Sequence, residues 1–147
     1  MNKITISKSN SKNREFSNFL SNNIKLYNDF YSIYHKQSRD ESTIKFLSYK
    51  VIDSNKKCLG GLYGEIYWDW FEIEDFWLDE TIRGEGFGTK ILRDAEIEAK
   101  EQGAKKILLT TFNFQGKSFY ESHGYIIVGE IQDYPPGSSF FTMIKHL

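Results

Sequence analysis

The sequence predicts a mixed α/β (α+β) fold in which a single, mostly antiparallel central sheet carries flanking helices. Its first half is rich in short strand-like runs separated by turn residues, whereas residues 72–131 alternate strand, helix, strand, helix, strand. The chain has 147 residues, of which 39% are apolar and 16% aromatic, enough for one full core. We therefore expect a single domain over residues 1–147.

The N-terminal region contains one clear helical pattern. Residues 4–6 alternate like a short strand, and residues 34–42 are polar without a period, which favours a loop or an irregular turn. From Ser11 onward apolar side chains recur at helical spacing on one face: Phe16, Phe19, Leu20, Ile24 and Tyr27. This spacing predicts an amphipathic helix.

A β-hairpin follows, and then a third strand. Residues 46–52 and 57–67 read as strands joined by a turn at 53–56. Glycines 60, 61 and 64 in the second strand predict a bulge or a close approach by another group. Residues 68–71 are assigned to a connecting loop and residues 72–79 to a strand. Period-two alternation would place four side chains on one face of that strand: Glu72, Glu74, Phe76 and Leu78.

The second half predicts two helices between three further strands. The first helix, at residues 90–102, turns apolar residues inward and ends at Gly103: Ile91, Leu92, Ala95 and Ala99. Strands are expected at 106–112, 125–131 and 140–145, and a stiff turn at 133–137. A short helix at 115–122 could be capped by Asn113 and ended by Gly124.

A glycine-rich turn, Arg83-Gly84-Glu85-Gly86-Phe87-Gly88-Thr89, precedes the longer of these two helices. Glycines after a strand and before a helix let backbone N–H groups converge, and the helix dipole adds positive potential there. Such a turn binds phosphate, although one strand, one glycine-rich turn and one helix could also be an ordinary tight connection. A dinucleotide-binding fingerprint would need a third glycine where Thr89 stands, and an ATP-type loop would end in Gly-Lys-Ser/Thr.

Composition excludes several classes of function. The net charge is −1 without a dense basic cluster, which argues against nucleic acid as a partner. The single Cys58 excludes an internal disulfide, and the three dispersed histidines lack metal-ligand spacing, so we expect no metal. Neither a signal core nor a membrane-length apolar run occurs. We expect a cytoplasmic protein without a membrane partner.

Two motifs carry a family resemblance. The run from Arg83 to Gly88 resembles the Arg/Gln-x-x-Gly-x-Gly/Ala signature of GCN5-related N-acetyltransferases (GNAT), and residues 113–125 resemble the family's Asn-x-x-Ala-x-x-Phe/Leu-Tyr-x-x-x-Gly-Phe run. The resemblance extends from about Phe46 to the C-terminus. Two positions depart from it: Gly116 replaces an alanine, and Glu80 replaces the proline often found before the loop.

The resemblance implies an N-acetyltransferase that uses acetyl-coenzyme A and direct attack by an amine, without a metal. Backbone groups near Leu78 would pair with the pantetheine arm and polarise the thioester carbonyl. Arg83 and the N–H groups of the turn would hold the phosphates, and Asn113 would either contact the cofactor or simply cap a helix. The implied cofactor-binding residues are Phe76, Trp77, Leu78, Arg83, Gly84, Glu85, Gly86, Phe87, Gly88, Thr89, Asn113 and Tyr120.

Catalytic roles are implied for three residues. Tyr120 matches the tyrosine that protonates the departing thiolate, although it could also be a packed aromatic residue. Glu72 and Glu74 are candidates for the general base that an alkylammonium acceptor requires near neutral pH, the alternative being solvated strand residues. The acidic, aromatic stretch between Glu65 and Glu80 would attract a cationic, partly apolar acceptor, either a small molecule or a peptide.

Other functions stay open at this point. A non-catalytic acyl-coenzyme A-binding module would keep the glycine turn but would not need Tyr120 or the acids. Some small toxin-like members of the family acetylate aminoacyl-tRNA, which the near-neutral charge disfavours. The sequence leaves the acceptor unidentified, and a homodimer is an open alternative to a monomer.

Overall fold

A computed structural model describes residues 3–147. The chain divides into two compact units, residues 1–39 and residues 40–147. The single domain expected over residues 1–147 stays a prediction.

The first unit is helical. Helix α1 spans Arg14–Tyr31, and the Asn13 side chain caps it by accepting from the N–H of Phe16 at 2.9 Å. This helix confirms the amphipathic prediction. Two other predictions are wrong: residues 4–6 form no strand, because no described segment pairs with them, and part of the expected loop is helix α2 (Ile33–Gln37), which Ser32 caps.

The second unit contains a six-stranded mixed sheet. Its strands are β1 (Lys45–Ile52), β2 (Cys58–Tyr67), β3 (Trp70–Leu78), β4 (Lys106–Phe112), β5 (Ile126–Gln132) and β6 (Ser139–His146). They lie in the order β1-β2-β3-β4-β6-β5, and every neighbouring pair except β3–β4 is antiparallel. The sheet is open, and the predicted mixed, mostly antiparallel fold is confirmed.

Two helices and a short 3₁₀ turn connect the strands. The 3₁₀ turn (Glu80–Ile82) and helix α3 (Phe87–Glu101) follow β3, and helix α4 (Lys117–Ser122) follows β4. Helix α3 buries the four predicted apolar residues against one face of the sheet. Phe71, Leu92, Ile107 and Met143 are fully buried there, and we call this side of the sheet the helix-covered face. Their burial supplies the hydrophobic stabilisation of the unit.

The hairpin glycines permit close packing, as predicted. A Cβ atom at Gly61 would lie 1.9 Å from the Tyr49 carbonyl oxygen, and one at Gly64 would lie 2.5 Å from the Phe71 ring. Both approaches are impossible for any other residue without movement of the neighbouring strand. The short connecting loop is smaller than expected, because Trp70 and Phe71 already belong to β3.

Strand β3 contains a bulge that changes the predicted facing of its side chains. Gly64 pairs with Ile73 and the preceding Tyr63 pairs with Asp75, so Glu74 is the extra residue on β3. Ile73 before the bulge is buried, and Phe76 and Leu78 after it pack against the same core. The prediction that Glu72 and Glu74 share a face with Phe76 and Leu78 is therefore wrong, because the inserted residue reverses the alternation.

Candidate active site

A cleft opens where the two parallel strands of the sheet part. Strands β3 and β4 pair at only three positions, ending with Glu72 and Leu108, although β3 continues to Leu78 and β4 to Phe112. The bulge at Glu74 begins directly after this short ladder. The cleft has a volume of about 890 Å³ and takes its walls from both strands and from the starts of α3 and α4. A cavity of this size suits a small-molecule ligand.

The inner edges of the cleft offer unpaired backbone groups. Beyond the ladder, the edge of β3 that faces β4 has no strand partner among the described residues, and the same holds for the facing edge of β4. Strand edges of this kind bind extended amide-containing chains through main-chain hydrogen bonds. The parting of the strands thus creates a slot for an elongated ligand with amide groups.

One end of the cleft is formed by the glycine turn. Gly84 and Gly86 have left-handed φ values of +78° and +87°, and a Cβ atom at either position would meet nothing within 4 Å. Among residues 3–147, no side chain caps helix α3, and its first intrahelical bond runs from the N–H of Lys90 to the Gly86 carbonyl. The N–H groups of residues 87–89 are therefore free to bind an anion at the positive end of the helix dipole.

Arg83 is fixed beside this helix start. Its Nε donates to the Leu78 carbonyl oxygen at 2.8 Å, which ties the guanidinium to the end of β3. Its terminal nitrogens have no hydrogen-bond or salt-bridge partner among residues 3–147, and Arg83 lines the cleft. The arrangement places a fixed cation next to the free N–H groups, which favours phosphate binding.

Tyr120 lies in the wall formed by α4. It is 8% exposed, and its ring packs between Phe119 and Tyr125 with centroid separations of 5.4 and 5.5 Å. Burial raises the pKa of Tyr120 to about 12, so the hydroxyl keeps its proton at neutral pH. A Cβ atom at Gly116 would lie 2.8 Å from the Tyr120 ring. The family's usual alanine would therefore displace the Tyr120 ring, whereas Gly116 leaves room for the ring where it lies.

Glu72 and Glu74 lie on either side of the end of the ladder. Glu72 is half-buried and accepts a hydrogen bond from the Tyr67 hydroxyl, whose pKa is raised by burial and by that bond. Glu74 lines the cleft and is more exposed. Partial desolvation, followed by the negative charges of Glu65, Glu72 and Asp75, raises the pKa of Glu74. A carboxylate of raised pKa at a cleft is a candidate general base.

Most of the predicted site residues meet in the cleft. Those that line it are Glu74, Phe76, Trp77, Leu78, Arg83, Gly84, Gly86, Gly88, Thr89 and Tyr120. Glu72, Glu85, Phe87 and Asn113 are outside its lining. The Asn113 side-chain oxygen accepts from the N–H of Ser139 at 3.0 Å, and Gly116 occupies the N-cap of α4. The predicted helix cap at Asn113 is therefore wrong, and a cofactor contact there stays a prediction.

The structure adds three residues that the sequence did not single out. Phe114 lines the cleft from the turn after β4, and Tyr67 holds Glu72. Thr111 is a buried polar residue whose hydroxyl oxygen accepts from the N–H of Gly116 at 3.2 Å, which fixes the start of α4. Alternation along β4 places Thr111 on the helix-covered face, and that pattern was the signal available from the sequence.

His123 joins the two helices that border the cleft. Its Nδ1 is 2.7 Å from the Phe119 carbonyl oxygen, and its Nε2 is 3.1 Å from the Thr89 hydroxyl. Because a carbonyl only accepts, Nδ1 carries the proton in this bond. His123 thus ends α4 and braces the first turn of α3.

Comparison with known proteins identifies the class and then the family. The mixed six-stranded sheet with its flanking helices matches the fold of a solved acetyltransferase, so the fold defines the class as an acyltransferase. The sequence matches the profile of the Acetyltransferase (GNAT) family over residues 14–125. The match covers well over half of the chain, and the protein belongs to this family of acetyltransferases.

Individual relatives agree with this assignment. Blasticidin-S acetyltransferase of Streptomyces morookaense is 36% identical over 89 residues, which cover 60% of this chain and 65% of that relative. A crystal structure of an acetyltransferase from Bacillus cereus is 29% identical and superposes with a TM-score of 0.78 over 96% of this chain and 98% of its own. The chain thus spans slightly less than two thirds of the first relative but nearly all of the second.

A third comparison concerns the fold alone. A streptothricin acetyltransferase from Bacillus anthracis, solved in complex with acetyl coenzyme A, is 23% identical and has a TM-score of 0.60 over 69% of this chain and 62% of its own.

Two further features bear on function classes. Across residues 3–147, no helix is long and apolar enough to cross a membrane, and no three potential ligand side chains cluster as a metal site.

Proposed function

We propose that this acetyltransferase moves the acetyl group of acetyl-coenzyme A directly onto an amine nitrogen of a small cationic acceptor. The observation that carries the proposal is the convergence, in one cleft, of two unpaired strand edges, an uncapped helix start and a buried tyrosine. Each of these matches one part of the thioester substrate. Acetyl-coenzyme A itself supplies the activated acetyl group.

The residues of the cleft fit coenzyme A along its length. The free N–H groups at the start of α3, together with Arg83, suit the pyrophosphate. The open space at Gly84 and Gly86 allows the phosphate oxygens to approach the backbone, which a side chain would block. The unpaired edge of β3 between Phe76 and Leu78 suits the amides of the pantetheine arm.

Proton transfers are assigned to opposite sides of the cleft. Tyr120 keeps its proton at neutral pH, because burial raises its pKa to about 12, and it serves as the donor to the departing sulfur. The amine must lose a proton as its nitrogen bonds to the acyl carbon, and Glu74 receives that proton directly or through water. Glu74 is preferred to Glu72 because it lines the cleft, whereas Glu72 lies outside the lining.

The charge of the cleft favours a cationic acceptor. The charges of Glu65, Glu72 and Asp75 help to raise the pKa of Glu74, so the middle of β3 and the facing part of β2 carry concentrated negative charge. One relative is named for blasticidin S and one structural neighbour is named for streptothricin, which makes these two antibiotics reasonable first probes. A small molecule of this kind is our proposed acceptor class.

Thiol release from acetyl-coenzyme A tests the proposal. The panel contains blasticidin S, streptothricin, a lysine-containing peptide and an aminoacyl-tRNA, each with the wild-type chain and with Tyr120→Phe. We expect release with at least one small amine and a large loss in the variant. Tight binding of acetyl-coenzyme A without turnover on any acceptor would instead indicate a binding module, and turnover confined to the aminoacyl-tRNA would contradict the acceptor class.

A further inference from the structure

The turn that follows β4 displays one aromatic side chain on a fixed support. Both neighbours of Phe114 are held: the Asn113 side chain accepts from the N–H of Ser139 at 3.0 Å, and the Gln115 side chain accepts from the N–H of Phe112 at 3.1 Å. Backbone bonds close the same turn, from Asn113 N–H to the Ser139 carbonyl and from Gln115 N–H to the Phe112 carbonyl. The position of Phe114 is therefore set before any ligand binds.

Phe114 is exposed in spite of this support. It is 63% exposed, and its ring is stacked on Phe112 with a centroid separation of 5.3 Å and an interplanar angle of 7°. Phe112 is in turn backed by Phe140 at 5.1 Å and by Tyr134 at 6.5 Å. One face of the Phe114 ring thus rests on an aromatic stack. A rigid exposed ring loses little conformational entropy when a second ring binds to it.

The stack lies on the face of the sheet opposite to the one that α3 covers. Alternation along β4 and β6 puts Thr111, Phe141 and Met143 on the helix-covered face, and hence Phe112 and Phe140 on the other. Tyr120 belongs to the core of the helix-covered face. The amine attacks the acyl carbon from outside the plane of the thioester, and the departing sulfur lies in that plane, so the two groups take different positions around the carbon. Tyr120 serves the sulfur from the helix-covered side, which leaves the side of the Phe114 stack for the amine.

We propose that Phe114 stacks on a flat ring of the acceptor, so that the site selects amines carrying a planar apolar group. The inference rests on the proposed function and specifies its acceptor. Glu74 and Asp75 line the cleft from β3, opposite the turn that holds Phe114. The acceptor that fits both walls has an ammonium group on one side and a planar ring on the other.

Two probe amines isolate the contribution of the ring. 2-Phenylethylamine and 2-cyclohexylethylamine have the same linker and charge and differ in the planarity of the ring. We expect wild-type kcat/KM to favour the phenyl probe by about three- to tenfold, the range that an aromatic pair contributes. Phe114→Leu, which keeps the apolar volume, should abolish the preference by raising KM for the phenyl probe, with kcat little changed.

Three controls accompany this experiment. Phe114→Tyr restores a ring and should keep the preference. Ile97→Ala removes an exposed apolar side chain from α3, outside the cleft, and should also keep it. The dissociation constant of acetyl-coenzyme A should be the same for the wild type and for Phe114→Leu.

Several outcomes would overturn the inference. The first is an unchanged preference for the phenyl probe in Phe114→Leu. The second is a wild type that uses both probes equally or uses neither of them. The third is a tenfold loss of acetyl-coenzyme A affinity in Phe114→Leu, which would assign the ring to the thioester substrate. If the wild type acetylates either antibiotic and yet one of these results is obtained, the stacking role fails and the proposed function stands. If no amine is acetylated, the proposed function itself fails.

Discussion

The two strands that border the cleft leave the same three-residue ladder and then differ. Strand β4 keeps its alternation to Phe112, and β3 is interrupted by the bulge at Glu74. The β3 side of the cleft consists of Glu74, Asp75 and the glycine turn that follows the strand. The β4 side consists of the turn that holds Phe114 and of Tyr120 on the helix after that turn. The single residue inserted at the bulge, Glu74, thus accompanies the difference between an anionic wall on the β3 side of the cleft and an aromatic wall on the β4 side.

The largest effect is expected on the β4 side, from Tyr120→Phe. Removing the hydroxyl removes the proton donor, and kcat should fall about a hundredfold or more, the usual range for general acid catalysis. The ring remains in place, so the dissociation constant of acetyl-coenzyme A should stay within about twofold. Tyr49→Phe, on β1 and outside the cleft, is the matched control. A Tyr120→Phe enzyme with wild-type turnover would remove the tyrosine from the mechanism.

On the β3 side, Glu74→Gln should be more damaging than Glu72→Gln. If Glu74 receives the amine proton, its loss should lower kcat/KM about a hundredfold near neutral pH. That deficit should shrink as the pH approaches the pKa of the amine, because more acceptor is then already neutral. Steady-state rates at several pH values measure both effects. The opposite order, with Glu72→Gln the weaker enzyme, would make Glu72 the base.

At the phosphate end, Gly86→Val should weaken acetyl-coenzyme A binding about ten- to a hundredfold, since lost charge-assisted hydrogen bonds cost about 1–3 kcal/mol each. Gly103→Val is a matched control. Gly103 also has a left-handed φ, +101°, with nothing within 4 Å of a Cβ atom, but it lies beyond the other end of α3. Calorimetry measures the affinity for acetyl-coenzyme A, and thermal unfolding should show a similar loss of stability in both variants. Normal affinity in Gly86→Val would place the phosphates elsewhere.

The smallest effect is a shift in pH dependence caused by Glu65→Gln. Desolvation and, after it, the charge of Glu65 raise the pKa of Glu74, so Glu74 stays protonated to a higher pH than an ordinary glutamate. Removing that negative charge should lower the pKa and move the acid limb of kcat/KM to lower pH, by less than about one unit. Glu130→Gln on β5 should leave the limb in place. If the acid limb of kcat/KM does not move in Glu65→Gln, the protonation of Glu74 does not control this rate constant.

The sequence predicted what depends on period and on turn chemistry. The core face of α3, the hairpin with its glycines and the order of strands after residue 72 were all correct, because each rests on local spacing. The facing of Glu72 relative to Phe76 was wrong, because a bulge of one residue is decided by how β3 pairs with β2. The cap at Asn113 was wrong for a similar reason, since Ser139 competes for its side chain from a distant strand.

The candidate site residues likewise fall into those placed by local motifs and those placed by tertiary packing. Most motif positions between Phe76 and Thr89, together with Tyr120, line the cleft, because a turn and a short helix hold them in fixed register, and their roles stay predictions. Tyr67 and Phe114 were missed, because their partners are decided by tertiary packing. The hydroxyl of Tyr67 reaches Glu72 across a tight turn, and Phe114 gains its place from the stack on Phe112.

Amide hydrogen exchange with and without coenzyme A tests most directly whether the thioester substrate lies between the parted strands. Saturating coenzyme A should slow exchange in two segments, the free edge of β3 at residues 73–78 and the start of α3 at residues 84–89. Strand β5, at the far edge of the sheet, should be unaffected. Unchanged exchange in both segments at saturation, or protection confined to other strands, would contradict a substrate slot between β3 and β4.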